Sequence, residues 1–220
     1  MKQSVAIAAL GLMILLPMTA GAEPVLQFND PIARGGTIVY DGAGGPTIGT
    51  DILIQNIISV DTPDNNLVAL TCLGCTLNFT TGNNISEGPD LWTFAQGGSF
   101  QLTGSVPGAG IIAPALLIDG TFSTFDPVQR GTGDFGLFVG AGVDVKSPLL
   151  AAFYGLGPDG FAFGSTIIQF GFSFDPATGA FSGTSIGANI NNHATVPNPA
   201  GLLLLGAGLA AMALVRWLVA

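Results

Sequence analysis

The sharpest cluster of reactive residues in the chain is Cys72-Leu73-Gly74-Cys75, and these two cysteines are the only ones present. Cysteines three apart can do three things. They can form a disulfide, since a tight turn at Gly74 brings the two Cα atoms within bridging reach. They can remain free thiols. They can act as a redox CxxC, which wants its first cysteine at a helix N-terminus in a βαβ setting. Here β-type sequence lies on both sides, which favours the disulfide. A bridge over so short a loop adds less than the roughly 3 kcal/mol of a loop of about 15 residues. A zinc site wants about four ligands. His193, the single histidine, is far along the chain, so no metal and no cofactor is expected.

His193 would also have to serve any Ser-His-Asp or Cys-His enzyme. It falls in a polar segment that reads as a linker, where no residue is held to catalytic tolerance. Asp61-Thr62-Pro63-Asp64-Asn65-Asn66 offers several oxygen ligands for calcium but lacks EF-hand spacing, and the same residues favour a plain turn. Gly131-Thr132-Gly133-Asp134-Phe135-Gly136 fits GxGxxG, a motif with meaning only between a strand and a helix. The following Leu137 to Val143 is strand-like, so the match is a coincidence of a Gly-rich chain. A glycosidase needs two carboxylates about 5 to 9.5 Å apart. Nothing in the sequence selects a pair from the 14 acidic residues. Trp92, Phe94 and Tyr154 could stack on sugar rings, or pack in a β core as aromatics more often do. The residues therefore point to a protein that is not an enzyme.

The elements that must position these residues are strands. Phe170, Phe172 and Phe174 alternate with Gln169, Gly171 and Ser173, and Phe100, Leu102, Leu77 and Phe79 alternate with polar neighbours. A period of two marks a half-buried strand. Turn formers separate the runs at Asp41-Gly42, Asn65-Asn66, Gly82-Asn83-Asn84, Gly88-Pro89-Asp90, Gly108-Ala109-Gly110 and Pro158-Asp159-Gly160. Asp175-Pro176-Ala177-Thr178-Gly179 joins Ile167–Phe174 to Ala180–Ile186 as a hairpin. Turns every 8 to 15 residues predict an all-β fold, a single antiparallel β-sandwich or barrel-like domain. Asp144 to Leu156 is the one stretch suited to a short helix, with Pro148 in its first turn.

Four segments follow: a signal peptide over 1–22, a Gly-rich β domain over 23–188, a linker over 189–195 and a tail over 196–220. Lys2, the apolar run Val5 to Leu16, and the small residues Ala20 and Ala22 form a secretory signal cut after Ala22. Such a signal is handled by signal peptidase and the secretion machinery. Ala200 to Val215 carries no charge, and with Arg216 and the apolar end it makes 21 residues, enough to cross a bilayer as a helix. Residues 23–195 hold all 14 acidic groups and three basic ones, Arg34, Arg130 and Lys146, a formal charge of −11. That excludes nucleic acid, whose phosphates attract basic proteins. It equally disfavours anionic lipid.

Val196-Pro197-Asn198-Pro199-Ala200, then Leu202-Leu203-Leu204-Leu205-Gly206-Ala207-Gly208-Leu209-Ala210 and Arg216, resembles the PEP-CTERM sorting signal of Gram-negative bacteria that make exopolysaccharide. Asn198 stands where that family usually has Glu, and Arg216 stands alone where it usually has several arginines. Gly49-Thr50-Asp51-Ile52, Leu77 to Gly82 and Asp144 to Leu156 resemble, more loosely, segments of exported proteins with this tail. The resemblance implies a domain outside the inner membrane on a single C-terminal span. It implies an exosortase-like membrane protease that reads the Pro-Asn-Pro region and releases the domain to the cell surface or matrix. Two functions fit: a non-catalytic structural or adhesive component of an exopolysaccharide matrix, which the missing catalytic set favours, or an exported glycan hydrolase with an unidentified carboxylate pair.

Overall fold

The structure is a computed structural model and describes residues 25–30, 35–88, 90–131, 134–157 and 161–194. The predicted signal site at Ala20 and Ala22 and the tail residues Val196, Pro197, Asn198, Pro199 and Arg216 lie outside them. The strands are β1 (Val25–Asp30), β2 (Thr37–Tyr40), β3 (Pro46–Val60), β4 (Ala69–Gly88), β5 (Leu91–Phe94), β6 (Gly98–Val106), β7 (Ile111–Phe125), β8 (Val128–Arg130), β9 (Phe135–Lys146), β10 (Phe161–Gly171), β11 (Ser173–Phe174) and β12 (Phe181–Ala194). A 3-10 turn, Pro107–Ala109, joins β6 to β7, and a helix, α1 (Pro148–Phe153), follows β9. Among the described residues no helix is long and apolar enough to cross a membrane.

The fold is all-β and antiparallel, as its periodicity requires. Ladders run β3–β4, β4–β6, β6–β7, β7–β9, β9–β10 and β10–β12. Strand β12 then pairs with both β1 and β2, and each of these pairs with β3. The sheet therefore closes on itself as a barrel with eight positions around the ring. Some positions are shared. β1 lies beside Ala188–His193 of β12, and β2 beside Phe181–Thr184. Between β4 and β9 the wall is β6 with β7 over one stretch and β5 with β8 over the other.

Eight strands enclose an interior just wide enough for side chains to fill. The filling here is aromatic rings set against glycines. Gly49, Gly120 and Gly136 face the rings of Phe79, Phe100 and Phe170, and a Cβ at any of them would collide with its ring. Phe79 stacks on Phe138 at 4.5 Å, and Phe122 packs edge-on to both Phe79 and Phe138. Toward β5 and β11, Trp92 is fully buried among Phe172, Phe174 and Phe181, all within 5.3 Å between centroids. Its indole N–H donates to Gly179 O at 3.0 Å, so burial leaves no donor unpaired.

The structure corrects the expected organisation in two places. Residues 189–194, expected as linker, belong to β12 and pair with β1 and β10. Their polarity misleads because Ile190 and Asn192 both face the interior, where Asn192 meets a polar partner on another strand. Gly82-Asn83-Asn84, expected as a turn, lies within β4. There Gly82 lets the Ala95 and Gln96 carbonyls approach, and Asn83 O accepts from Ala95 N–H at 2.8 Å, so backbone pairing carries the strand through. The hairpin at Asp175 forms as the turn residues demand, with Gly179 in the left-handed region and its N–H donating to Asp175 O at 2.9 Å.

Because Trp92 anchors this packing, Trp92→Ala is expected to cost about 3–5 kcal/mol of stability by loss of transfer energy and cavity formation. A denaturant titration reads it as a lower midpoint with unchanged slope.

Candidate functional site

A cluster of buried ionisable partners is built from β9 and β12. Inward positions on β9 include Phe138, Gly140, Gly142, Asp144 and Lys146. Residues two apart share a strand face, so Asp144 and Lys146 both enter the interior. Asn192 enters from β12 and is fully buried. Strand β10 lies between, pairing Phe161 with Asp144 and Phe163 with Asn192. One carboxyl group bridges the other two side chains. Lys146 Nζ donates to Asp144 Oδ1, and Asn192 Nδ2 donates to Asp144 Oδ2. Asn192 Oδ1 is buried and accepts no hydrogen bond among the described residues.

The surroundings are apolar. Lys146 Nζ lies 4.4 Å from the ring centroid of Phe161 and 5.6 Å from that of Phe28. The side chains of Asp144 and Lys146 have 0% exposure. Removal from water penalises charge on both groups. Burial holds the Asp144 carboxyl above its usual range, although Lys146 and the Asn192 hydrogen bond pull it down. Burial pushes the Lys146 amine down to about 8, against the pull of Asp144. Both shifts favour the neutral acid and the neutral amine. The site thus holds a nucleophile, a proton carrier and an amide carbonyl within reach of one another.

Cys72 and Cys75 are bonded to each other, with Cα atoms 5.6 Å apart. They sit inside β4 rather than at a turn. A spacing of three would place them on opposite faces of a regular strand. Gly74, at φ +60°, and a register shift between Leu73 and Thr76 insert a bulge, so both cysteines face inward. Across the wall, Gly104 leaves room for Cys75 Sγ.

The remaining candidates are spread over the barrel. Residues 61–66 form a closed loop: Thr62 Oγ1 donates to Asp64 O at 2.9 Å, and Asn65 Nδ2 to Phe153 O at 2.6 Å. Among the described residues no three His, Cys, Asp or Glu side chains converge as a metal would require. His193 lies in β12 opposite Val25 and Ala162. The described part of Gly131 to Gly136 leads into β9, with Asp134 paired to Arg130 at 2.6 Å. Trp92, Phe94 and Tyr154 are all buried, which commits them to packing rather than to sugar rings.

Sequence reasoning missed the polar cluster of Asp144, Lys146 and Asn192. The available signal was parity: Asp144 and Lys146 share a face with Phe138, the inward face of a strand-like run. The chain matches no protein-family model, no curated protein and no solved structure.

Removing the carboxyl strands a buried amine, so Asp144→Ala is expected to cost about 3–5 kcal/mol, as breaking one half of a buried pair does. Equilibrium denaturation checks it. A second expectation concerns Tyr154, whose hydroxyl donates to Val68 O at 3.3 Å and is pushed up to about 12 by burial. The unfolded chain releases that proton near pH 10, so between 10 and 12 the unfolded state binds fewer protons and stability falls as pH rises. Tyr40 shifts the same way, chiefly by burial. Stability measured against pH should decline less steeply above pH 10 in Tyr154→Phe than in the wild type.

Proposed function

We propose that the chain is an exported surface protein, held at the inner membrane by its C-terminal segment and released by an exosortase-like protease. Its barrel serves as a non-catalytic structural or adhesive module of an exopolysaccharide matrix. One observation carries the choice of a non-catalytic role. The inward faces of the strands are filled mainly by packed rings and aliphatic groups, with Asp144, Lys146 and Asn192 paired to one another, where a ligand-holding barrel would keep space. Binding is then left to the outer wall. That wall offers neutral hydrogen-bonding groups such as Gln101, Thr103, Thr121 and Ser123. A groove of about 450 Å³ is lined in part by Ser99, Asp119, Thr121, Val143 and Val145. Amide and hydroxyl groups beside short apolar patches suit uncharged sugars, while the excess of acidic residues repels polyanions. The sorting role rests on Val196-Pro197-Asn198-Pro199, the uncharged run and Arg216, and export on the signal cut after Ala22.

The test is the C-terminal peptide mass of the mature protein from membrane and extracellular fractions of its native host, followed by co-sedimentation with the host polysaccharide. Loss of the residues after about Pro197, together with retention on the polysaccharide, is the expected result. An intact Ala220 confined to membranes overturns release. Turnover of a polysaccharide, abolished by a single Asp substitution, overturns the non-catalytic reading in favour of a glycan hydrolase.

A further inference from the structure

We propose that Lys146 and Asn192 are joined by an intramolecular isopeptide bond, Lys146 Nζ to Asn192 Cγ, which the folded barrel forms itself with Asp144 as the catalytic proton carrier. The inference stands on side-chain placement alone and does not depend on the sorting or matrix role.

Three requirements of such a reaction are met. The amine must be uncharged to attack, and Lys146 is sealed among Phe28 and Phe161 with no solvent exposure, where its pKa falls to about 8. The amide must be held beside it, and Asn192 is bonded to the same carboxyl group as Lys146. A proton carrier must reach both the attacking and the leaving nitrogen. Asp144 contacts Lys146 Nζ through Oδ1 and Asn192 Nδ2 through Oδ2. The carbonyl oxygen of Asn192, which accepts no hydrogen bond among the described residues, is free to take a proton from the acid as charge develops.

The step balances without any co-reactant. Asp144 takes a proton from the Lys146 ammonium, leaving a neutral amine and a neutral acid. The Nζ lone pair attacks Asn192 Cγ while Asp144 protonates Oδ1. Asp144 then carries a proton from Nζ to Nδ2. The Cγ–Nδ2 bond breaks as Oδ1 returns its proton to Asp144, ammonia leaves, and Nζ–Cγ remains as a secondary amide beside the neutral acid. Nothing is oxidised or reduced. The residues are 46 positions apart and on strands that β10 separates, so they meet only once β9, β10 and β12 have paired. A bond to Asp144 instead would close a small ring within β9 and lose water, not ammonia.

The experiment uses the full chain purified from cells that export it, reduced and denatured before measurement. The expected intact mass is about 17 Da, one ammonia, below that of the same mature chain. Trypsin should fail to cut after Lys146, and chymotrypsin should release a branched peptide carrying both Lys146 and Asn192. Lys146→Arg and Asp144→Ala should each abolish the mass loss and the branched peptide. The wild type decides on its own even if those variants fold poorly. Tryptic cleavage after Lys146, with Lys146 and Asn192 both recovered in linear peptides, overturns the proposal. So does a loss of about 18 Da with linkage to Asp144, which marks the other amide.

Discussion

The pairing of β12 with β1 and β2 is the constraint on which the rest of this fold depends. The other ladders of the ring join strands that follow one another with at most a short excursion, and each could form as a local hairpin. Closure is different. It brings His193 opposite Val25 and Phe181 opposite Tyr40, across most of the chain. Until it forms, β12 on one side and β1 with β2 on the other are open edges, and the interior faces water on one side. Once it forms, no edge is left in the ring, and the aromatic filling becomes a closed core.

That filling explains the composition. A chain with 33 glycines and 15 phenylalanines looks loosely specified for a domain of this size. Inside an eight-strand barrel the two residues are complementary. The circumference is fixed by strand number, so a ring on one strand requires an empty Cβ position on its neighbour. Phe79 opposite Gly49, Phe100 opposite Gly120 and Phe170 against Gly136 repeat the same solution around the wall. The outcome is a filled interior, with most of the exposed polar side chains left to the outer wall.

Much of this was legible in the sequence. The alternation at Phe170, Phe172 and Phe174 and the turn at Asp175 yield a hairpin because both signals are local. Pro148 opens a helix for the same reason. The Cys72–Cys75 pair was legible as a pair, but its position was not. A bulge in mid-strand and a tight turn use the same Gly74 conformation, and only the partner strand distinguishes them. Asn189 to Ala194 was misread for a deeper reason. Polarity argues for solvent only when no buried partner exists. The partner of Asn192 is Asp144, on a strand 48 residues earlier. No window of sequence contains that fact.

The same polar cluster bears on closure. A buried Lys–Asp pair usually returns little stability, because desolvation offsets the attraction between the charges. Aliphatic side chains at Asp144, Lys146 and Asn192 would pack the interior at less cost, so electrostatics alone is a weak reason for their presence. Placement supplies a better one. Lys146 ends β9 and Asn192 lies near the end of β12, the strand that closes the ring and continues into the tail segment. Hydrogen bonds to β10, β1 and β2 hold β12 in place, and such ladders open one pair at a time from a strand end. An amide between Lys146 and Asn192 would tie that end across β10 to β9, so fraying from the C-terminal side would stop at residue 192. Three desolvated polar groups are costly as an ion pair. As the reactants of one covalent bond at the closing strand, their position and their burial follow from a single requirement.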